Sequence, residues 1–155
     1  VSELISKQVL DVEVDFYGWC LQDVDDTAVP ATFPEGFEGS GFLAEKEGRL
    51  DFTSAGHTHT ATLTAEVWDG EPLEAETVDG WDEAAEGTIT CSSGELAVWA
   101  VAGGPMPIYV HLSDRGGQWS VRARCRGRDE VRFLAREGVP EGVERYLVQF
   151  WPAGV

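Results

Sequence analysis

Three groups of residues in this 155-residue chain have the types and spacing to do chemistry. His57 and His59 stand two apart, so on one strand face both imidazoles could reach a single metal ion, with His111 as a third ligand. Three nitrogen ligands on zinc would make a hydrolytic centre. These are the chain's 3 histidines, however, and no spacing brings His111 to the pair. The plainer expectation is a polar strand entrance beside Gly56, with no metal and no cofactor.

Arg122, Arg124, Arg126 and Arg128 recur at every second position, so a strand would project all four from one face and Val121, Ala123 and Cys125 from the other. Such a row could clamp phosphate or carboxylate. A structural role is the stronger expectation, with the row neutralised across the sheet by Asp11, Glu13 and Asp15 or by other acids. In the third group, residues 79–86, Trp81 sits among Asp79, Asp82, Glu83 and Glu86. An exposed indole ringed by carboxylates fits an interface hot spot aimed at a basic partner; the alternative is a plug over the end of the fold.

Other catalytic signatures are missing. Gly39-Ser40-Gly41 reads as a flexible turn, Gly-x-Ser-x-Gly is absent, and so are a phosphate-binding loop and a glycine-rich dinucleotide fingerprint. Carboxylates are so abundant that no pair stands out as acid and base. The expectation is a protein without catalytic residues.

The elements that must position these groups are strands. Eighteen Gly, seven Pro and many β-branched and aromatic residues break the chain into short alternating runs separated by turn signals. Residues 8–17 put Leu10, Val12, Val14 and Phe16 on one face and Asp11, Glu13 and Asp15 on the other, in a strand expected to continue through Trp19 and Leu21. Residues 23–48 read as a long irregular connection with a short strand near Phe42 and Leu43. Residues 57–68 alternate most clearly, with Thr58, Thr60, Thr62 and Thr64 on one face and Ala61, Leu63, Ala65 and Val67 on the other. One helical turn is expected within residues 79–86. Further strands are expected at 49–52, 87–92, 96–102, 108–113, 119–127, 131–135 and 144–151. Strands at this spacing predict an all-β fold, a two-sheet antiparallel β-sandwich of about 8–9 strands with little helix, in one domain over residues 1–155.

Charge narrows the function classes. Residues 1–100 hold 22 Asp and Glu against 3 Lys and Arg, while residues 101–155 hold 6 against 8, within a formal net charge of −17. Such a field repels nucleic acid and anionic membrane and attracts basic proteins. Cys20, Cys91 and Cys125 lie far apart among apolar neighbours, as buried free thiols do in a reducing compartment. With no signal-peptide pattern at the start, a soluble cytoplasmic protein is expected.

Laid out this way, the chain resembles the bacterial competence protein J group, acidic β-sandwich proteins that inhibit a DNA-entry nuclease. The likeness rests on an early strand ending in an aromatic and Gln-Asp (residues 16–23), the acidic connection before Gly87-Thr88-Ile89, and the closing turn and strand (residues 141–151). The run Tyr146-Leu147-Val148-Gln149-Phe150-Trp151-Pro152-Ala153 is similar to the close of many actinobacterial proteins. The resemblance implies a binding function in which an acidic surface occupies a basic nuclease or toxin. Two other classes compete with it. One is a metal-dependent enzyme built on His57, His59 and His111. The other is a self-assembling subunit whose Arg face meets the acidic face of another copy.

Overall fold

The computed structural model describes residues 1–73 and 80–154. In chain order the elements are β1 (Leu4–Val14), β2 (Gly18–Asp23), a 3-10 turn (Asp26–Ala28), β3 (Leu43–Lys46), β4 (Arg49–Thr53), β5 (His59–Trp68), β6 (Glu83–Cys91), β7 (Glu95–Ala100), β8 (Gly104–His111), β9 (Gly117–Arg126), α1 (Arg128–Leu134) and β10 (Glu141–Pro152). Among the described residues ten strands form two five-stranded sheets, ordered β1-β5-β10-β9-β6 and β3-β4-β2-β7-β8. The expected sandwich is present, with one or two strands more than anticipated. It is not wholly antiparallel, because β10 runs parallel to β5 (Tyr146 beside Leu63, Val148 beside Ala65).

Period-2 patterning builds the core. Val12 and Val14 of β1, Ala61, Leu63, Ala65 and Val67 of β5, Val121 and Ala123 of β9, and Tyr146, Val148 and Phe150 of β10 turn inward from the first sheet. Trp19, Leu21, Leu50, Phe52, Leu96 and Val98 meet them from the second. Trp19 stacks on Phe52 with centroids 4.3 Å apart, and Tyr146 lies edge-on to Trp19 at 4.9 Å. Each fully buried side chain of this size contributes roughly 1.5–3 kcal/mol.

Three expectations are corrected. Residues 8–21 are not one strand, because the chain turns at Phe16 and Tyr17 and changes sheet, leaving Phe16 exposed rather than in the core. Residues 131–134 belong to α1, with Ala135 as its C-cap, instead of a strand. Asp129 and Glu130 in the first turn and Arg132 in the last suit a helix dipole, and of its residues Val131 alone is buried, so the apolar alternation has no sheet to face. Residues 83–86 are strand, because β9 offers them a partner and pairs Glu83 with Cys125 and Glu86 with Arg122.

The long connection after β2 folds over the outer face of the second sheet. Phe33 N–H donates to Gln22 Oε1 at 2.8 Å, and Arg49 donates to Ala31 O at 2.7 Å while its guanidinium lies over the Phe33 ring. Single polar side chains clip the two sheets at both flanks. Gln8 of β1 donates to Tyr109 O (2.9 Å) and accepts from His111 N–H (3.0 Å), as another strand would. On the opposite flank Glu45 of β3 accepts from Thr88 N–H of β6. Edge strand β8 also carries Pro105 and Pro107, which remove ladder donors and blunt edge-to-edge association.

Candidate functional site

The three histidines do not converge. His57 precedes β5, is exposed, and packs against Phe16 and Tyr17 at centroid distances of 5.0 and 5.1 Å. His59 points the other way, into the interior. His111 lies at the far end of the second sheet, where it pairs with Glu95, and its Nε2 is 3.3 Å from Asp114. His57 and His59 therefore share no face. Among the described residues no group of three or more His, Cys, Asp and Glu is arranged to hold a metal ion.

His59 instead belongs to a buried polar cluster that sequence reasoning missed. Glu144, fully buried on β10, accepts from Ser54 Oγ (2.6 Å), Ala55 N–H (3.0 Å) and Tyr146 Oη (2.6 Å), with Arg128 Nη1 at 3.5 Å. Ser54 Oγ accepts from Gly56 N–H (3.1 Å) and lies 2.8 Å from His59 Nε2. With the serine proton committed to Glu144, the network assigns the His59 proton to Nε2. Burial pushes the His59 imidazole below the ordinary histidine value, against the upward pull of Glu144. Burial and the same carboxylate push the Cys125 thiol up to about 12 and the Tyr146 phenol well above its usual value.

Serine, histidine and glutamate are the types of a nucleophilic triad, but the geometry is wrong for one. The carboxylate holds the serine rather than His59 Nδ1, and each of the three side chains is at most 3% exposed. The cluster ties the loop after β4 to β10. Its one legible signal is strand phase, since Glu144 falls on the same face as Tyr146, Val148 and Phe150.

The Arg row serves the chain itself. β9 lies between β10 and β6, so Asp11, Glu13 and Asp15 on β1 and its end are not its partners. The connection from β5 to β6 meets the row instead. Arg122, 4% exposed, donates to Pro72 O (3.1 Å) and Glu71 (2.8 Å), lies 3.8 Å from Glu86, and sits over the Trp151 ring. Arg124 is equally buried, and Arg126 covers the Trp81 ring at 5.1 Å. Arg128 has left the strand for α1, where it donates to Thr53 O at 3.1 Å. An open Arg face for a second copy is thus not available at Arg122 or Arg124.

Of the acid-ringed group, Asp79 lies outside the described residues. Trp81 is half-buried beneath Arg126, and Asp82 accepts from Arg128 N–H at the start of α1 (3.1 Å). Glu83 and Glu86 open β6, exposed on the sheet margin. Trp81, Asp82 and Glu86 thus contact the chain's own arginines.

At the same end of the sandwich stands an unusual turn. Gly18 N–H closes on Asp15 O at 3.0 Å, and between them Phe16 (φ 49°) and Tyr17 (φ 64°) both occupy the left-handed region. That conformation favours Asn or Gly, and holding a bulky side chain in it costs about 1–3 kcal/mol per residue. The turn is pinned by Tyr17 N–H to His57 O (3.1 Å) and Ser54 N–H to Tyr17 O (2.8 Å).

No protein-family model matches the chain, and no curated protein matches it in sequence. Two solved structures are similar to it in fold. One is ComJ, inhibitor of the DNA degrading activity of NucA, from Bacillus subtilis, with a TM-score of 0.62 and 11% identity over 99% of each chain. The other is the product of crocagin biosynthetic gene J, with a TM-score of 0.57 and 10% identity over 99% of each chain. Both alignments run through the full course of the two sheets, and this chain therefore has a ComJ-like fold.

Proposed function

We propose that this chain is a non-enzymatic binding protein of the nuclease-inhibitor kind, which engages a basic protein partner through its acidic surface in the cytoplasm. The observation that carries this reading is the end-to-end fold likeness to ComJ, a nuclease inhibitor. The charge distribution supports it, because 28 Asp and Glu against 11 Lys and Arg attract a basic surface and repel nucleic acid. The polar cluster at Glu144 supports it too, since Ser54, Tyr146 and His59 Nε2 are buried and bond within the cluster rather than to a substrate.

The acids around Trp81 are one docking surface within this proposal. Glu83 and Glu86 offer exposed carboxylates, and a partner cation could displace Arg126 from the indole. Affinity capture from the native host, at low and at moderate salt, tests the reading. The expected result is retention of a basic nuclease or toxin that is lost as salt rises, and whose activity falls when the chain is added back. Retention of no basic protein at low salt would overturn it. Trp81→Ala combined with Asp82→Lys is expected to weaken capture without unfolding the domain; undiminished capture would remove this surface.

A further inference from the structure

The turn at Phe16 and Tyr17 points beyond that surface. We propose that Asp15-Phe16-Tyr17-Gly18 is the anchor by which the chain docks on its basic protein partner. In this arrangement the two aromatic rings enter an apolar cleft, and Glu13 and Asp15 meet cations at its rim. The proposal rests on the binding reading above and names the element that carries it.

Four observations converge. First, Phe16 and Tyr17 are 55% and 47% exposed, so roughly half of each ring contributes nothing to the core. Second, both hold left-handed backbone in a turn where Asn-Gly would be unstrained, so folding alone does not favour aromatics here.

Third, the turn is rigid before any partner arrives. His57 packs against both rings, and backbone bonds to His57 and Ser54 fix Tyr17. Preorganised aromatics lose little freedom on docking, which is the property of interface hot spots. Fourth, the rim is acidic and fixed. Ala102 N–H and Gly103 N–H donate to the Asp15 carboxylate at 3.0–3.1 Å, and Glu13 borders the same glycine. Among the described residues no Lys or Arg forms an ion pair with either acid. An apolar centre inside a negative rim is complementary to an apolar cleft inside a positive one.

The loop after β4 carries His57 under the aromatic turn and Gly56 under Val131 of α1.

The test uses the full chain and the basic protein it retains from host extract, once identified and purified. Calorimetric titration compares wild type, Phe16→Asn with Tyr17→Gly, and Trp81→Ala with Asp82→Lys, and each variant is melted alone. The turn variant is expected to bind at least 100-fold more weakly while its thermal midpoint stays at or above that of wild type. Asp15→Asn alone is expected to flatten the salt dependence. Binding by the turn variant within threefold of wild type would overturn the anchor and leave the binding reading intact; a wild type that retains no basic protein would remove both. A fall in the midpoint would assign the aromatic pair to folding and overturn the proposal. So would sedimentation showing a dimer of the wild type that the turn variant abolishes, since the occupant would then be a second copy.

Discussion

Ser54 Oγ donates to the Glu144 carboxylate at 2.6 Å across 90 residues of sequence, joining the loop after β4 to the middle of the first sheet. Around this bond a serine, a histidine, a tyrosine and an arginine give up water together. The carboxylate offsets that loss by accepting from several of them.

Removing the acceptor deprives the buried Ser54 and Tyr146 hydroxyls and the Ala55 N–H of their partner. Glu144→Ala is expected to destabilise the fold by about 3–5 kcal/mol. Glu144→Gln keeps the shape and part of the acceptor capacity and should cost less. Denaturant titration of both variants checks the order, and equal, small losses would contradict the account.

His59 makes stability sensitive to acid. Its folded-state pKa is lowered by burial, so the unfolded chain takes up a proton at a pH where the folded chain does not. Stability from this group is complete above the unfolded value of about 6.5 and declines as pH falls from there toward the folded value. The denaturation midpoint is expected to drop between pH 7 and pH 5, with a shallower drop in His59→Gln. Identical slopes in the two proteins would contradict it.

The three thiols should be silent in the native state. Cys20, Cys91 and Cys125 are free and buried, and burial raises all three, Cys125 to about 12. Little thiolate therefore forms at pH 8. A colorimetric thiol reagent is expected to report almost no reaction until denaturant is added, and then three equivalents.

Arg126 shields Trp81, and the contact is a surface one. Arg126→Ala should shift the tryptophan emission to longer wavelength and cost no more than about 1 kcal/mol. A larger loss would mean that this pair, rather than β6 pairing, holds the described end of the β5–β6 connection.

Gly127 tests the junction between β9 and α1. It has φ 81°, and a Cβ there would lie 2.1 Å from Val143 O. Gly127→Ala is expected to cost well over 1 kcal/mol, because strained backbone and steric overlap act together. Thermal melting gives the answer directly.

The sequence by itself determined what alternation and charge determine. Thr60 to Val67 and Leu10 to Val14 name their buried faces through a period of two, and sheet packing demands no other information for that. Glu144 was legible as a carboxylate in phase with Tyr146 and Val148, but its partners came from a loop 90 residues away. Long-range pairing decided the rest. Residues 83–86 are a strand because β9 stood ready to bond them, and the Arg row faces the connection because β9 lies next to β6, far from β1. Phe16 continues an apolar alternation in sequence yet ends up outside, because the chain must cross between sheets there. The corner that serves the crossing turns both aromatic rings toward solvent.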